Sequence, residues 1–163
     1  MTTATSDRAQ TITRYLNPII QSTINTFEMM LNSSAKRTGI VLSSGRMEGP
    51  SLSAVISLTG KANGTIVLNV HNEVAFNVFE RMLGIKPDAV NDEVRDAVGE
   101  LVNMIAGGAK AQLKELELSL GIPNLIDGDS YALHFPTDME RPLSIEFTSD
   151  IGKFTIDFSF RDQ

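Results

Sequence analysis

The stretch LSAVISLTGKANGTIVLNV, from Leu52 to Val70, alternates apolar residues with small or polar ones. Leu52, Ala54, Ile56 and Leu58 share one face of a first run, and Ile66, Leu68 and Val70 share one face of a second. A period of two marks a strand with one buried face, because successive side chains point to opposite sides of a sheet. Asn63-Gly64 stands between the runs and suits a tight turn, so the stretch reads as a β-hairpin turning there.

Working outward, Asn72 can cap a short helix, EVAFNVFERMLG, which stops at Gly84 shortly before Pro87. Asp92 opens a longer helix expected to run to about Ser119, where Gly121 and Pro123 stand just past its end. Upstream, Ile12, Tyr15, Leu16, Ile19, Ile20, Ile24, Phe27, Met30 and Leu31 recur at helical spacing in one long helix, with Pro18 marking a kink or a late start. TGIVLSSGRMEG reads as a first strand with an irregular end. The last third holds YALHF, LSIEF and KFTIDFSF, with Leu143, Ile145, Phe147, Phe154, Ile156, Phe158 and Phe160 on one face. Ser144, Glu146, Thr155, Asp157 and Ser159 are expected on a wetted opposite face. The order helix, three strands, two helices, three strands predicts an α/β (α+β) domain. Its mainly antiparallel, six-stranded sheet carries the long N-terminal helix and the two central helices on one face. Residues 1–10 read as a disordered or frayed start and 11–163 as a single domain.

The chain has 163 residues, 42% of them hydrophobic, which suits one domain with a sizeable core. A net charge of -6, with 14 Lys and Arg scattered along the chain, argues against a nucleic-acid partner. No apolar run approaches the roughly 20 residues that span a bilayer, and MTTATSDRAQ lacks a signal-peptide pattern. No membrane partner and a cytoplasmic location are expected. The absence of cysteine excludes disulfides, thiolate zinc sites and thiol catalysis.

In the helix from Asp92, Val94, Val98, Leu101, Ile105, Ala109 and Leu113 form the apolar stripe. Asp96, Glu100, Asn103 and Gly107 form a second stripe that is polar and small. Asn103, Gly107 and Gly108 together weaken a helix interior by roughly 2–3 kcal/mol relative to Ala. Two explanations stand. The glycines let another element approach closely while Glu100 and Asn103 are merely solvated, or both glycines keep a flat face low so that another macromolecule can dock on it.

Other features carry blander readings. His71 and His134 each stand alone, the latter inside a strand, and take structural or surface roles. Asp127-Gly-Asp129 lacks the further ligands of a calcium loop and reads as a turn. TGKANGT lacks the spacing of a phosphate-binding loop. Phe27, Met29 and Met30 read as core, and Asp88, Asp92 and Glu93 as a helix-start and solubility cluster.

Glu100-Leu-Val-Asn103, with Asp96 four residues before and Gly107 four after, resembles the D/S-x-x-x-E-x-x-N signature of the CheC, CheX and FliY chemotaxis phosphatases. The preceding hairpin and short helix and the following GIPNLIDG with two alternating strands stand in that family's order, from about Ser51 to Phe160. Glu28 and Asn32 have the wrong spacing for a second motif, so the chain is similar to the single-motif CheX branch. The resemblance implies a CheX-like homodimer joined through its sheets. It also implies a hydrolase that dephosphorylates the phosphoaspartate of a CheY-like receiver domain, a response regulator of chemotaxis or another two-component pathway. On this resemblance Asn103 orients the attacking water, Glu100 pairs with the receiver's lysine, and Asp96 and Gly107 contact the partner. The receiver supplies Mg2+, and this chain binds no cofactor of its own. The rival reading is a non-catalytic CheX-like module that binds a phosphorylated response regulator or a motor or signalling complex. A self-sufficient small-molecule hydrolase is disfavoured by the lack of cysteine and of a histidine-based constellation.

Overall fold

The computed structural model describes residues 2–135 and 141–162, excluding the side chains of residues 2–8 and 11. Helix α1 spans Thr2–Leu31, and strands β1 (Ala35–Leu42), β2 (Arg46–Thr59) and β3 (Ala62–His71) follow. Helices α2 (Asn72–Leu83) and α3 (Asp92–Ala111) come next, then a 3-10 turn at Lys114–Leu116. Strands β4 (Ser119–Leu120), β5 (Asn124–Ala132), β6 (Leu143–Ser149) and β7 (Phe154–Asp162) complete the order. The polar start is continuous with the amphipathic part of α1, and Pro18 sits inside that helix without ending it.

Among the described residues seven strands form one sheet in the order β1-β6-β7-β3-β2, with β4 and β5 sharing the far side of β2. The expected count was six. The additional strand, β4, begins where the long helix was expected to end, and that helix stops instead at Ala111. Leu113, Leu116 and Leu118 are buried, and the Leu116 carbonyl accepts from the Lys61 N–H at 2.8 Å, so packing on the β2–β3 loop draws this tail out of the helix. TGIVLSSGRMEG likewise divides, its first part in β1 and its end in a long β2, around Gly45 with φ 72°.

The hairpin is present, but its turn lies elsewhere. Thr59 pairs with Asn63 and Leu58 with Gly64, which places the reversal at Gly60-Lys61 and Asn63-Gly64 inside β3. Gly64 faces Phe160 of β7, and a Cβ there would stand 2.3 Å from its ring. That ring stacks on Tyr15 of α1 with centroids 4.3 Å apart. Cross-strand packing therefore overrides a local turn preference.

The helices cover one face of the sheet. Tyr15, Ile19, Phe27 and Leu31 of α1 join Val74, Ala75 and Val78 of α2 and the apolar stripe of α3 over Leu52, Ile56, Ile66, Leu68, Ile145, Phe147 and Ile156. Met29, expected in this core, is 78% exposed. His71 rather than Asn72 holds the N-cap position of α2, without a side-chain cap hydrogen bond, and the helix ends at Gly84 in the left-handed conformation.

The opposite face alternates as expected but is not wetted throughout, since Ser51, Ser53, Asn69, Ser144, Asp157 and Ser159 are buried. Ser43, in the β1–β2 connection, donates to Asp157 Oδ2 at 2.8 Å, and the Tyr131 hydroxyl lies 2.7 Å from Ser53 Oγ. The β1–β2 connection and the end of β5 thus reach over it. Asp127-Gly-Asp129, read as a turn, lies within β5, where Asp127 pairs with Leu52 of β2. His134 lies beyond the end of that strand and is exposed.

Candidate functional site

The α3 helix starts where Asn91 Oδ1 accepts the Val94 N–H at 2.9 Å, with Asp92 and Glu93 favourably placed in its first turn. Val94, Val98, Leu101, Ile105 and Ala109 are 0% exposed and hold the helix on the sheet. At about 100° per residue, Asp96, Glu100, Asn103 and Gly107 fall within about 60° of arc on the side away from that stripe. Asp96 and Glu100 are exposed, while Asn103 and Gly107 are half-buried. Among the described residues, the side chains of Asp96, Glu100 and Asn103 have no hydrogen-bond or ion-pair partner. Their polar groups are free to meet something from outside.

Arg95, one position before Asp96, is engaged instead. Its guanidinium donates to Asp127 through Nε at 2.8 Å and to Asp92 at 2.9 Å, tying the start of α3 to β5. Such exposed pairs contribute little stability, so the effect of this one is to fix position.

The two glycines have different roles. A Cβ at Gly108 would stand 2.1 Å from Ser22 Oγ and 3.0 Å from Ser22 Cβ. Ser22 of α1 uses that space to donate to the Ile105 carbonyl at 2.6 Å. Gly108 is therefore a packing glycine, which corrects the expectation that both glycines keep the outer face low. A Cβ at Gly107 would meet only Leu120 Cδ1, at 3.9 Å, so nothing in the fold demands glycine there.

One flank of this face is the segment joining β4 to β5. Leu120 lies beside position 107, while Pro123 and Leu125 lie 3.7 and 3.1 Å from the Cβ position of Gly99. In the sequence Gly121 and Pro123 read as helix-stop signals and as part of the GIPNLIDG segment that follows the motif, neither of which sets them beside it in space. Their place beside the motif follows from the strand pairing of Leu120 with Leu58 and Leu125 with Ala54.

Among the described residues no three or more His, Asp or Glu side chains gather as metal ligands. His71 Nε2 lies 3.0 Å from the Glu48 carbonyl, consistent with a structural role. Among the described residues no helix is long and apolar enough to cross a membrane. What α3 presents is a carboxylate, a carboxamide and a low glycine surface on a rigid helix, an arrangement that can dock and orient another molecule's reacting group.

The family model described as Chemotaxis phosphatase CheX matches residues 52–159, a segment that includes all of α3. The CheY-P phosphatase CheX of Thermotoga maritima is 29% identical over 137 residues, covering 81% of this chain and 88% of that protein. The crystal structure of the chemotaxis protein CheX from Desulfovibrio desulfuricans is similar with a TM-score of 0.79 at 28% identity, covering 90% of this chain and 99% of that one. The CheX of the CheX–CheY–BeF3–Mg2+ complex from Borrelia burgdorferi, 20% identical, shares the fold with a TM-score of 0.73 over 91% of this chain and 98% of that one. With the sheet order, the helical layer and the Glu100–Asn103 face in place, the chain belongs to the CheX family of chemotaxis phosphatases.

Proposed function

We propose that this protein is a phosphatase for the phosphoaspartate of a CheY-like receiver domain, with the outer face of α3 entering the receiver's site. The observation that carries this reading is that Glu100 and Asn103 lie on the outer side of α3 with no side-chain partner among the described residues, opposite a fully buried apolar stripe. The name of the Thermotoga relative and the CheX–CheY complex from Borrelia support the choice of substrate.

In this reading the receiver brings the acyl phosphate and its magnesium ion. The Asn103 carboxamide oxygen accepts a hydrogen bond from a water and holds it in line with the bond from phosphorus to the aspartyl oxygen. Attack of the water forms a new P–O bond as the old one breaks, releasing inorganic phosphate and the receiver's aspartate carboxylate. An amide is a poor base, so Asn103 acts by placement, which is most of what phosphoryl transfer asks of a protein. Glu100 forms an ion pair with the receiver's lysine and sets the docking pose. Asp96 and Gly107 border the contact, and two copies join through their sheets, a state that light scattering would detect.

The test is the dephosphorylation rate of phosphorylated receivers in magnesium buffer with wild-type protein, Asn103→Ala or no addition. Acceleration lost in Asn103→Ala is expected. Near-normal turnover by that variant sinks the role of Asn103, and phosphorylation-dependent binding without acceleration leaves a receiver-binding module.

A further inference from the structure

We infer that Ile122 is an apolar anchor that selects the receiver, a role that rests on the reading of α3 as the receiver-docking face. Ile122 is 86% exposed, more than any other large hydrophobic residue described. A lone exposed hydrophobic is ordinary on a protein surface. The place and stiffness of this one set it apart.

Its place follows from its neighbours. Leu120 lies against position 107 of α3, and Pro123 and Leu125 lie against position 99. Asn103 is midway between those positions, about one helical turn from each. Ile122 therefore stands at the rim beside Asn103. A receiver seated with its phosphoaspartate at Asn103 brings its own surface up to this rim.

The segment that carries Ile122 is held at both ends. Leu120 pairs with Leu58, and the Gly121 N–H donates to the Ser57 carbonyl at 2.8 Å. On the other side Pro123 restricts its own φ, and β5 begins at Asn124. A backbone already held at both ends loses little conformational freedom on binding, so more of the burial of the side chain it carries appears as affinity. The face then combines Glu100, which recruits a cation, with Ile122, which requires an apolar patch beside the receiver's phosphorylation site. A receiver with a charged group at that patch is disfavoured by the desolvation of an unpaired charge.

The experiment compares wild type, Ile122→Ser, Ile122→Leu and Asn103→Ala. It measures kcat and KM for dephosphorylation of the preferred receiver, Kd for the same receiver activated with beryllofluoride and magnesium, and the thermal midpoint. Ile122→Ser is expected to raise both KM and Kd by about tenfold, as for loss of one buried branched side chain. Its kcat should stay within about twofold, since a loss of uniform binding moves KM alone. Ile122→Leu should restore most of the affinity, and none of the Ile122 variants should shift the midpoint, because the side chain is so exposed.

Wild-type KM and Kd in Ile122→Ser would overturn the anchor while leaving the role of Asn103 intact. A fall in kcat with unchanged KM would also overturn it. Wild-type protein that neither binds nor dephosphorylates any receiver would remove the phosphatase reading and the anchor with it.

Discussion

Alanine at Gly107 and alanine at Gly108 are expected to move stability in opposite directions, although the residues are adjacent in one helix. Gly→Ala in a helix interior gains about 1 kcal/mol through reduced unfolded-state freedom and better propensity. At position 107 the new methyl meets only Leu120 Cδ1 at 3.9 Å, an ordinary contact, so that gain survives. For a chain of this size it raises the thermal midpoint by about 2–4 °C. At position 108 the methyl would lie 2.1 Å from Ser22 Oγ and 3.0 Å from Ser22 Cβ. Rotating Ser22 can move its oxygen but not its Cβ, and the rotation breaks the buried bond to the Ile105 carbonyl. That bond contributes about 1 kcal/mol, and forcing the helices apart adds about 1–3 kcal/mol. Against the propensity gain, a net loss of about 1–3 kcal/mol remains.

Urea unfolding followed by circular dichroism, with the m-value held as a control, reads both changes. Ser22→Ala in the Gly108→Ala background should recover part of the loss, because the two sites share one contact. Stabilisation by both substitutions would refute the packing role of Gly108, and equal destabilisation would refute the openness of Gly107. The functional counterpart is Gly107→Leu, which should fold near normally yet slow receiver dephosphorylation. The reverse pattern would make position 107 a packing site.

Gly64→Ala places a methyl 2.3 Å from the buried Phe160 ring and should destabilise by about 1–3 kcal/mol in the same urea assay; a neutral result would show that the ring can yield. Asp150 accepts hydrogen bonds from Ser33 and from Arg81, which together hold its pKa at about 2, below the ordinary 3.8. A depressed carboxylate stabilises the fold above its unfolded pKa and loses that effect as pH falls. The stability difference between wild type and Asp150→Asn should therefore be full at pH 7 and fade between about pH 4 and 2; a pH-independent difference would deny the linkage. Asp157 is shifted the other way by burial, opposed by the hydroxyls of Ser144 and Ser43. Its folded state favours the protonated form, so its contribution to stability falls as pH rises through the carboxylate range. Asp157→Asn should raise the urea midpoint at pH 7 and lose that advantage in acid, and a lower midpoint at pH 7 would contradict the sign.

The candidate face is legible in the sequence alone, because a helix repeats every 3.6 residues and the sequence shows both its stripes. Val94, Val98, Leu101 and Ile105 identified the buried side, so the outward direction of Glu100 and Asn103 followed. The flank formed by Leu120–Leu125 was not legible. It lies beside Asn103 only because the strands that contain it pair with β2, a contact between residues far apart in the chain.

The same division runs through the whole protein. Period-two alternation determined that Leu52–Val70 is a hairpin and that Phe154, Ile156, Phe158 and Phe160 face the core, since the two faces of a strand are a local property. Tertiary structure decided that Asn63-Gly64 lies within a strand rather than at the turn, because the glycine serves the Phe160 ring stacked on Tyr15. It ended the expected helix at Ala111 and put Ser119–Leu120 into the sheet, and it placed Asp127-Gly-Asp129 in β5 opposite β2. It also separated Gly107 from Gly108, two identical residues that propensity cannot tell apart. Only the approach of Ser22 from another helix distinguishes them, and such an approach depends on the folded arrangement of distant segments rather than on any local pattern.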